Sequence, residues 1–225
     1  MKAGVIGTIN GSIDEITDFT DYREYGDEKL RQQYEFESPR NTKTGITFYP
    51  GRAAIERIEE KDYIDFKEGG IIATQREEKT QYYTEFVLVQ DNFVIVESSA
   101  GEFLFDLLAT QTGTEVERAN IDLYDLLEHS ANFEPDPWQV GFYGNDGKAE
   151  KGVLYGSNIL EDSDVGKTLK NTKKNQIGLE ILNEEDVNIK FTATESGYLE
   201  IYLPDNYDTS EFIDFISNFI LPNLK

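Results

Sequence analysis

Tyr83-Thr84-Glu85-Phe86-Val87-Leu88-Val89 and Phe93-Val94-Ile95-Val96 stand only Gln90-Asp91-Asn92 apart. Both runs are rich in β-branched and aromatic residues, which suit a pleated, half-buried surface, and the short polar link makes them a hairpin signature. The arrangement recurs further along. Trp138-Gln139-Val140-Gly141-Phe142-Tyr143 and Gly152-Val153-Leu154-Tyr155 flank Asn145-Asp146-Gly147, a second hairpin signal. Strands are also expected at Ile177 to Ile181, Val187 to Thr192 and Tyr198 to Leu203. Strands that come in adjacent pairs and triplets, instead of alternating singly with helices, predict an α+β chain: antiparallel hairpins in a sheet, with segregated helices.

Helix signals fall between the strand groups. Ser12-Ile13-Asp14-Glu15 fits a capping box and predicts a short helix. Gly45 to Tyr49 reads as a strand stopped by Pro50-Gly51, and Arg52 to Lys61 as a short helix with Ile55 and Ile58 inward. No element is assigned to residues 22–45. Phe103 to Leu108 predicts a helix stopped at Thr112-Gly113, and residues 115–130 a strand leading into a helix. Pro135-Asp136-Pro137 is expected to interrupt any regular element. A helix is predicted from Ser163 to Lys174. In the last one, Asp208 and Glu211 form a capping box, and Phe212, Phe215, Ile216, Phe219 and Ile220 make an apolar stripe ahead of Pro222. This C-terminal amphipathic helix is expected to pack on the sheet. A hairpin followed by a helix thus occurs over 83–112 and again over 187–221. The chain is read as one α+β domain over 1–225, with two similar halves, 1–113 and 114–225, as the alternative.

Charge narrows the function. The 44 Asp and Glu against 21 Lys and Arg give a net charge of −23 in 225 residues. Duplex binding replaces condensed counterions with Lys and Arg, so a broad phosphate-facing surface is excluded. The 14 Phe and 13 Tyr mark a core-forming chain and not an acidic disordered one. Acidity of this kind fits solubility in a salty cytoplasm, a basic partner, or mimicry of nucleic acid. The halophile-like match is partial, because 14 Lys outnumber 7 Arg and 26 Glu outnumber 18 Asp. With no stretch of 18 apolar residues, a soluble cytoplasmic protein away from membranes is expected.

Catalytic patterns fail one by one. The chain has no Cys, which removes thiol chemistry and Cys-based metal sites. Gly166-Lys167-Thr168 resembles the end of a phosphate loop, but Glu161 stands where its first Gly belongs. His129, the single imidazole, is followed by Ser130, and adjacent helical residues point about 100° apart. Asn183-Glu184-Glu185-Asp186-Val187-Asn188 lacks the Gly and spacing of a calcium loop. Carboxylate pairs are too numerous to single one out. No cofactor is expected.

One segment departs from the general acidity. Residues 148–174 hold Lys148, Lys151, Lys167, Lys170, Lys173 and Lys174 against Glu150, Glu161, Asp162 and Asp164. With Trp138 and Tyr143 as anchors, these lysines are the candidate contact for a phosphate, RNA or acidic partner. The same charges also suit a helix opposing its own macrodipole. Nucleic acid would be met only here, if at all. The expectation is a non-catalytic interaction or regulatory protein that binds a protein partner, with a nucleic-acid-associated protein among the options. A hydrolase or nuclease using Asp/Glu-bound metal and a nucleic-acid mimic are the alternatives.

Overall fold

The computed structural model describes residues 1–67, 69–146, 149–183 and 186–225. The first half of the chain contributes β1 (Ala3–Asn10), β2 (Phe19–Tyr25), β3 (Glu28–Phe36), β4 (Arg40–Asn41), β5 (Thr47–Lys67), β6 (Gly70–Val89), β7 (Phe93–Val96) and α1 (Phe103–Thr112). The second contributes β8 (Glu115–Arg118), α2 (Leu123–Ser130), β9 (Asp136–Asp146), β10 (Ala149–Tyr155), α3 (Gly166–Asn171), β11 (Lys173–Leu182), β12 (Asn188–Thr194), β13 (Tyr198–Leu203) and α4 (Thr209–Phe215). The strands pair in the order β10-β9-β11-β12-β13-β1-β7-β6-β5-β3-β2, with β4 beside β5 and β8 beside β1. Every pairing between these strands is antiparallel. The chain is therefore mostly antiparallel sheet with separate helices, as the adjacent strand signals predict.

β1 occupies the middle. On one side Val5 faces Val96 and Ile6 faces Ile95; on the other Ala3 faces Glu200 and Gly4 faces Leu199. Moving outward, β7-β6-β5 lie on one flank and β13-β12-β11 on the other, so the two hairpin-and-helix units hold equivalent places about β1. Their helices cover opposite faces. Val94 and Val96 join Leu104, Phe105 and Leu108 of α1, whereas Phe93 and Ile95 join Phe212, Phe215, Ile216 and Phe219 at the end of the chain. Strict alternation along β7 supplies both cores from four consecutive buried residues.

The chain's last segment starts from a formed capping box at Asp208 and Glu211. It is α-helical only to Phe215 and continues as a π turn over 216–220. The Phe215 ring lies 5.1 Å from that of Phe191 on β12. α1 ends where expected, with Gly113 in the left-handed conformation at φ 70°. No helix among the described residues is long and apolar enough to cross a membrane.

Five local expectations are overturned. No helix forms at Ser12, because the β6–β7 turn claims its capping groups: the Ile13 N–H donates to Asp91 Oδ1 at 2.6 Å and the Ser12 hydroxyl to Asp91 Oδ2 at 3.3 Å. Pro50 does not stop its strand, and Arg52 to Lys61 is not helical; β5 runs through both, paired without a break from Tyr49↔Leu88 to Lys67↔Gly70. Pro137 lies inside β9, at a register shift between Gly178↔Gln139 and Leu179↔Pro137 that accommodates it. The predicted 163–174 helix is reduced to α3, and Lys173 and Lys174 instead open β11 opposite Tyr143 and Phe142.

Candidate interaction surfaces

The lysine segment is divided: Lys151 on β10 and Lys173 on β11 both stand opposite Tyr143, one on each side of it, whereas Lys174 turns to the other face. Lys148 lies outside the described residues. Lys151 is exposed on β10 and Lys167 on α3, while Lys170 pairs with Glu161 at 2.8 Å. Lys173 pairs with Glu195 at 2.8 Å and stands 4.9 Å from the Tyr143 ring, whose hydroxyl donates to the same carboxylate at 2.9 Å. The hydrogen bonds to Glu195 and Tyr143 raise the Lys173 pKa. Lys174 points the other way and is buried, donating to the Leu169 carbonyl at 3.1 Å over the Tyr124 ring at 4.2 Å. Burial lowers its pKa. Alternation along a strand separates Lys173 from Lys174, where a helix end would have held both in solvent.

Trp138 is held away from this group. Its indole lies against Gly178, where a Cβ would stand 2.6 Å from Cε2. Lys190 Nζ is 4.8 Å from the ring centroid, with Tyr155 and Tyr202 at 6.2 and 5.8 Å between centroids. Lys190 also pairs with Glu180 at 3.2 Å. This aromatic cluster is anchored by its own neighbours, so Trp138 and Tyr143 serve two separate networks.

The most exposed apolar side chains lie elsewhere, at positions the charge reading passed over. β5 and β6 continue beyond the end of β3 at Glu28 and beyond β7, forming a two-stranded arm in which no described side chain between Glu56 and Tyr83 is buried. At roughly 3.4 Å per residue, the stretch from Ile58 to Lys67 reaches about 30 Å. Charged and aromatic cross-strand contacts stiffen it. Lys61 pairs with Glu78 at 2.9 Å, Lys79 with Glu56 at 2.8 Å and Arg76 with Asp65 at 3.7 Å, and Arg76 lies over the Tyr63 ring at 5.0 Å. At its root, the Arg31 amide and then Lys79 hold the Glu56 carboxyl down at about 2. Near the tip, Gly70 takes φ 127°, a conformation open to glycine, and the ladder ends. There Ile64 is 52%, Phe66 81%, Ile71 69% and Ile72 43% exposed. Phe66 faces Ile71 across the ladder, so both lie on one face with Ile64 two residues back.

The remaining chemical motifs are absorbed by structure. The amides that a phosphate loop would offer, those of Asp164 and Val165, donate to Asp162 Oδ1 at 2.9 Å each. His129 stacks on Phe219 at 4.9 Å and meets the Asn223 amide at 3.0 Å, while the Ser130 hydroxyl donates to the Leu127 carbonyl at 2.7 Å. The two are thus engaged with different partners. Among the described residues no group of three or more His, Asp or Glu side chains converges as a metal would need. Two open depressions of about 430 and 550 Å³ meet at Arg118, which is pinned to Glu102 at 2.8 Å. No protein-family model and no curated protein matches this sequence.

Proposed function

We propose that this chain is a non-catalytic interaction protein that engages a protein partner through the end of the β5–β6 arm, with the cytoplasm as its compartment. One observation carries the reading: Ile64, Phe66 and Ile71 are exposed together on one face at the end of an arm, with Ile72 exposed on the other face, and none of the arm's described side chains is buried in the core. A scattered exposed apolar residue is ordinary, whereas a cluster displayed on a projection and rimmed by charge is the composition of a contact patch. Phe66 supplies the aromatic anchor such patches use, and its neighbours exclude water around it. The acidic surface contributes by steering a basic partner and repelling acidic ones.

The test compares wild type with a variant carrying Ile64→Thr, Phe66→Thr, Ile71→Thr and Ile72→Thr, since Thr keeps β propensity while removing the apolar surface. Both are immobilised and exposed to extract of the source cells, with circular dichroism confirming equal folding. A protein retained by wild type and lost from the variant supports the reading. Equal retention by both overturns the arm as the contact. Tight stoichiometric Mg²⁺ or Mn²⁺ binding in calorimetry overturns the non-catalytic assignment.

A further inference from the structure

The sheet has two outer edges, and they are built differently. At one end β10 carries a register shift between Ala149 and Lys151 and exposes Lys151, two devices that spoil a template for further strands. At the other end β2 pairs with β3 in unbroken register from Phe19↔Tyr34 to Tyr25↔Glu28, and it contains no Pro and no Lys.

The backbone directions of β2 follow from its neighbours. The Arg31 N–H donates to Glu56 Oε2 at 2.8 Å and the Glu37 N–H to the Pro50 carbonyl at 2.7 Å, so the odd residues of this stretch turn toward β5. The Phe36 N–H, of the other parity, meets Asp18 Oδ1 at 2.8 Å on the β2 side. Even residues of β3 therefore hold β2 through the partners of Leu30, Gln32 and Tyr34, which are Arg23, Asp21 and Phe19. Alternation leaves the amides and carbonyls of Thr20, Tyr22 and Glu24 directed away from the sheet. Around them stand Asp18, Asp21, Glu24, Asp27 and Glu28, with Arg23 the one base between residues 18 and 28.

We propose that the β2 edge binds a basic extended segment of a partner protein by strand addition. The outward backbone groups of Thr20, Tyr22 and Glu24 supply the hydrogen bonds, and the flanking carboxylates select Lys and Arg at alternate positions. An acidic strand is refused by charge, which also disfavours edge-to-edge pairing with a second copy of this −23 chain. The edge is separate from the arm tip, so either contact can fail without the other.

The probe is a fluorescein-labelled peptide, acetyl-Lys-Val-Lys-Thr-Lys-Val-Lys-amide, read by anisotropy at low ionic strength. A second copy N-methylated at its three central residues keeps every charge but loses the central amide donors of both its edges. Saturable binding of the first, weakened at least about tenfold by N-methylation, is the expected result. Tyr22→Pro deletes an outward amide without touching a β2–β3 bond and should weaken binding to the same degree. Hydrogen exchange should slow at Thr20, Tyr22 and Glu24 when the peptide is present. The arm-tip variant should bind the peptide as wild type does. Equal affinity for the two peptides, no saturable binding of either, or protection confined to another strand overturns the proposal. If Tyr22→Pro does not fold, the comparison of the two peptides on the wild-type chain decides.

Discussion

Removing the arm tests whether it serves contact or stability. Residues 58–79 can be replaced by Asn-Gly, joining Arg57 to Thr80, which already face each other across the ladder. Asn-Gly closes such a pair as a two-residue turn with the twist the strands require. None of the described side chains lost is buried, because none between Glu56 and Tyr83 is. With the arm's own ladder go the hydrogen bonds from Tyr25 to Glu77, Tyr63 to Glu78, Gln75 to Asp62, Tyr82 to Glu59 and Lys79 to the Lys29 carbonyl, together with three ion pairs, Lys61–Glu78, Arg76–Asp65 and Lys79–Glu56. At about 0.2–1 kcal/mol each, the ion pairs total roughly 0.6–3 kcal/mol; they and the hydrogen bonds are partly offset by the ordering entropy the shorter chain no longer spends. The net loss should stay within about 2 kcal/mol, or a melting shift below about 8 °C for a chain of this size. Truncating one buried core leucine alone costs about 2–5 kcal/mol. Urea unfolding followed by circular dichroism and by Trp138 emission is the assay, since Trp138 sits on β9, remote from the deletion. A loss above about 4 kcal/mol, or a transition that is no longer cooperative, would show instead that the arm belongs to the folded body.

Gly178→Ala puts a Cβ 2.6 Å from the Trp138 indole and 2.8 Å from the Gln139 Cβ; it should cost about 1–3 kcal/mol and shift the emission of the single Trp, and unchanged stability with unchanged emission would count against the contact described. The Glu56 carboxyl, held at about 2 against an ordinary 4.5, contributes stability that is fully present above 4.5 and lost as pH falls through 2. Glu56→Gln should flatten that acid limb, measured as urea midpoint against pH, and parallel limbs in the two proteins would contradict it. With a net charge of −23, added salt at constant pH should raise the melting temperature, most steeply as the Debye length falls below about 10 Å near 0.1 M. A scanning-calorimetry series that is flat into molar KCl would remove self-repulsion as a limiting force.

Local signals were readable where sequence neighbours settle the outcome. The β6–β7 turn, the Gly113 stop of α1, the span of β13 and the Asp208 capping box all depend on residues a few positions apart. Arg52 to Lys61 failed because its composition favours a helix, and only the long ladder with β6, a non-local partner, overrides that preference. Ser12 failed for a related reason: the group that captured it, Asp91, is 79 residues away. The lysine segment was visible as a charge run, but its division among α3, β10 and β11 depends on where α3 ends, at Asn171. The arm tip did leave a trace. Ile64 and Phe66 before Gly69-Gly70, with Ile71 and Ile72 after it, mark apolar arms around a break, although nothing in that pattern says the side chains face solvent.

The central position of β1 orders events during synthesis. Its neighbours are Phe93 to Val96 on one side and Tyr198 to Glu200 on the other, so it leaves the ribosome long before either exists. Val5 and Ile6, both fully buried in the finished sheet, must wait through the translation of nearly the whole chain to be covered on both sides. At about 5–20 residues per second, the interval between β1 and β13 is on the order of 10–40 s. The β6–β7 hairpin and α1 are complete within about half that time and can dock β1 first; β8 then pairs with Gly7 to Asn10, leaving Ala3 to Val5 open until β13 exists. A nascent chain halted before β13 would therefore present a central strand paired on one side and open at Ala3 to Val5 on the other, the form in which this protein is most exposed to chaperones and to aggregation.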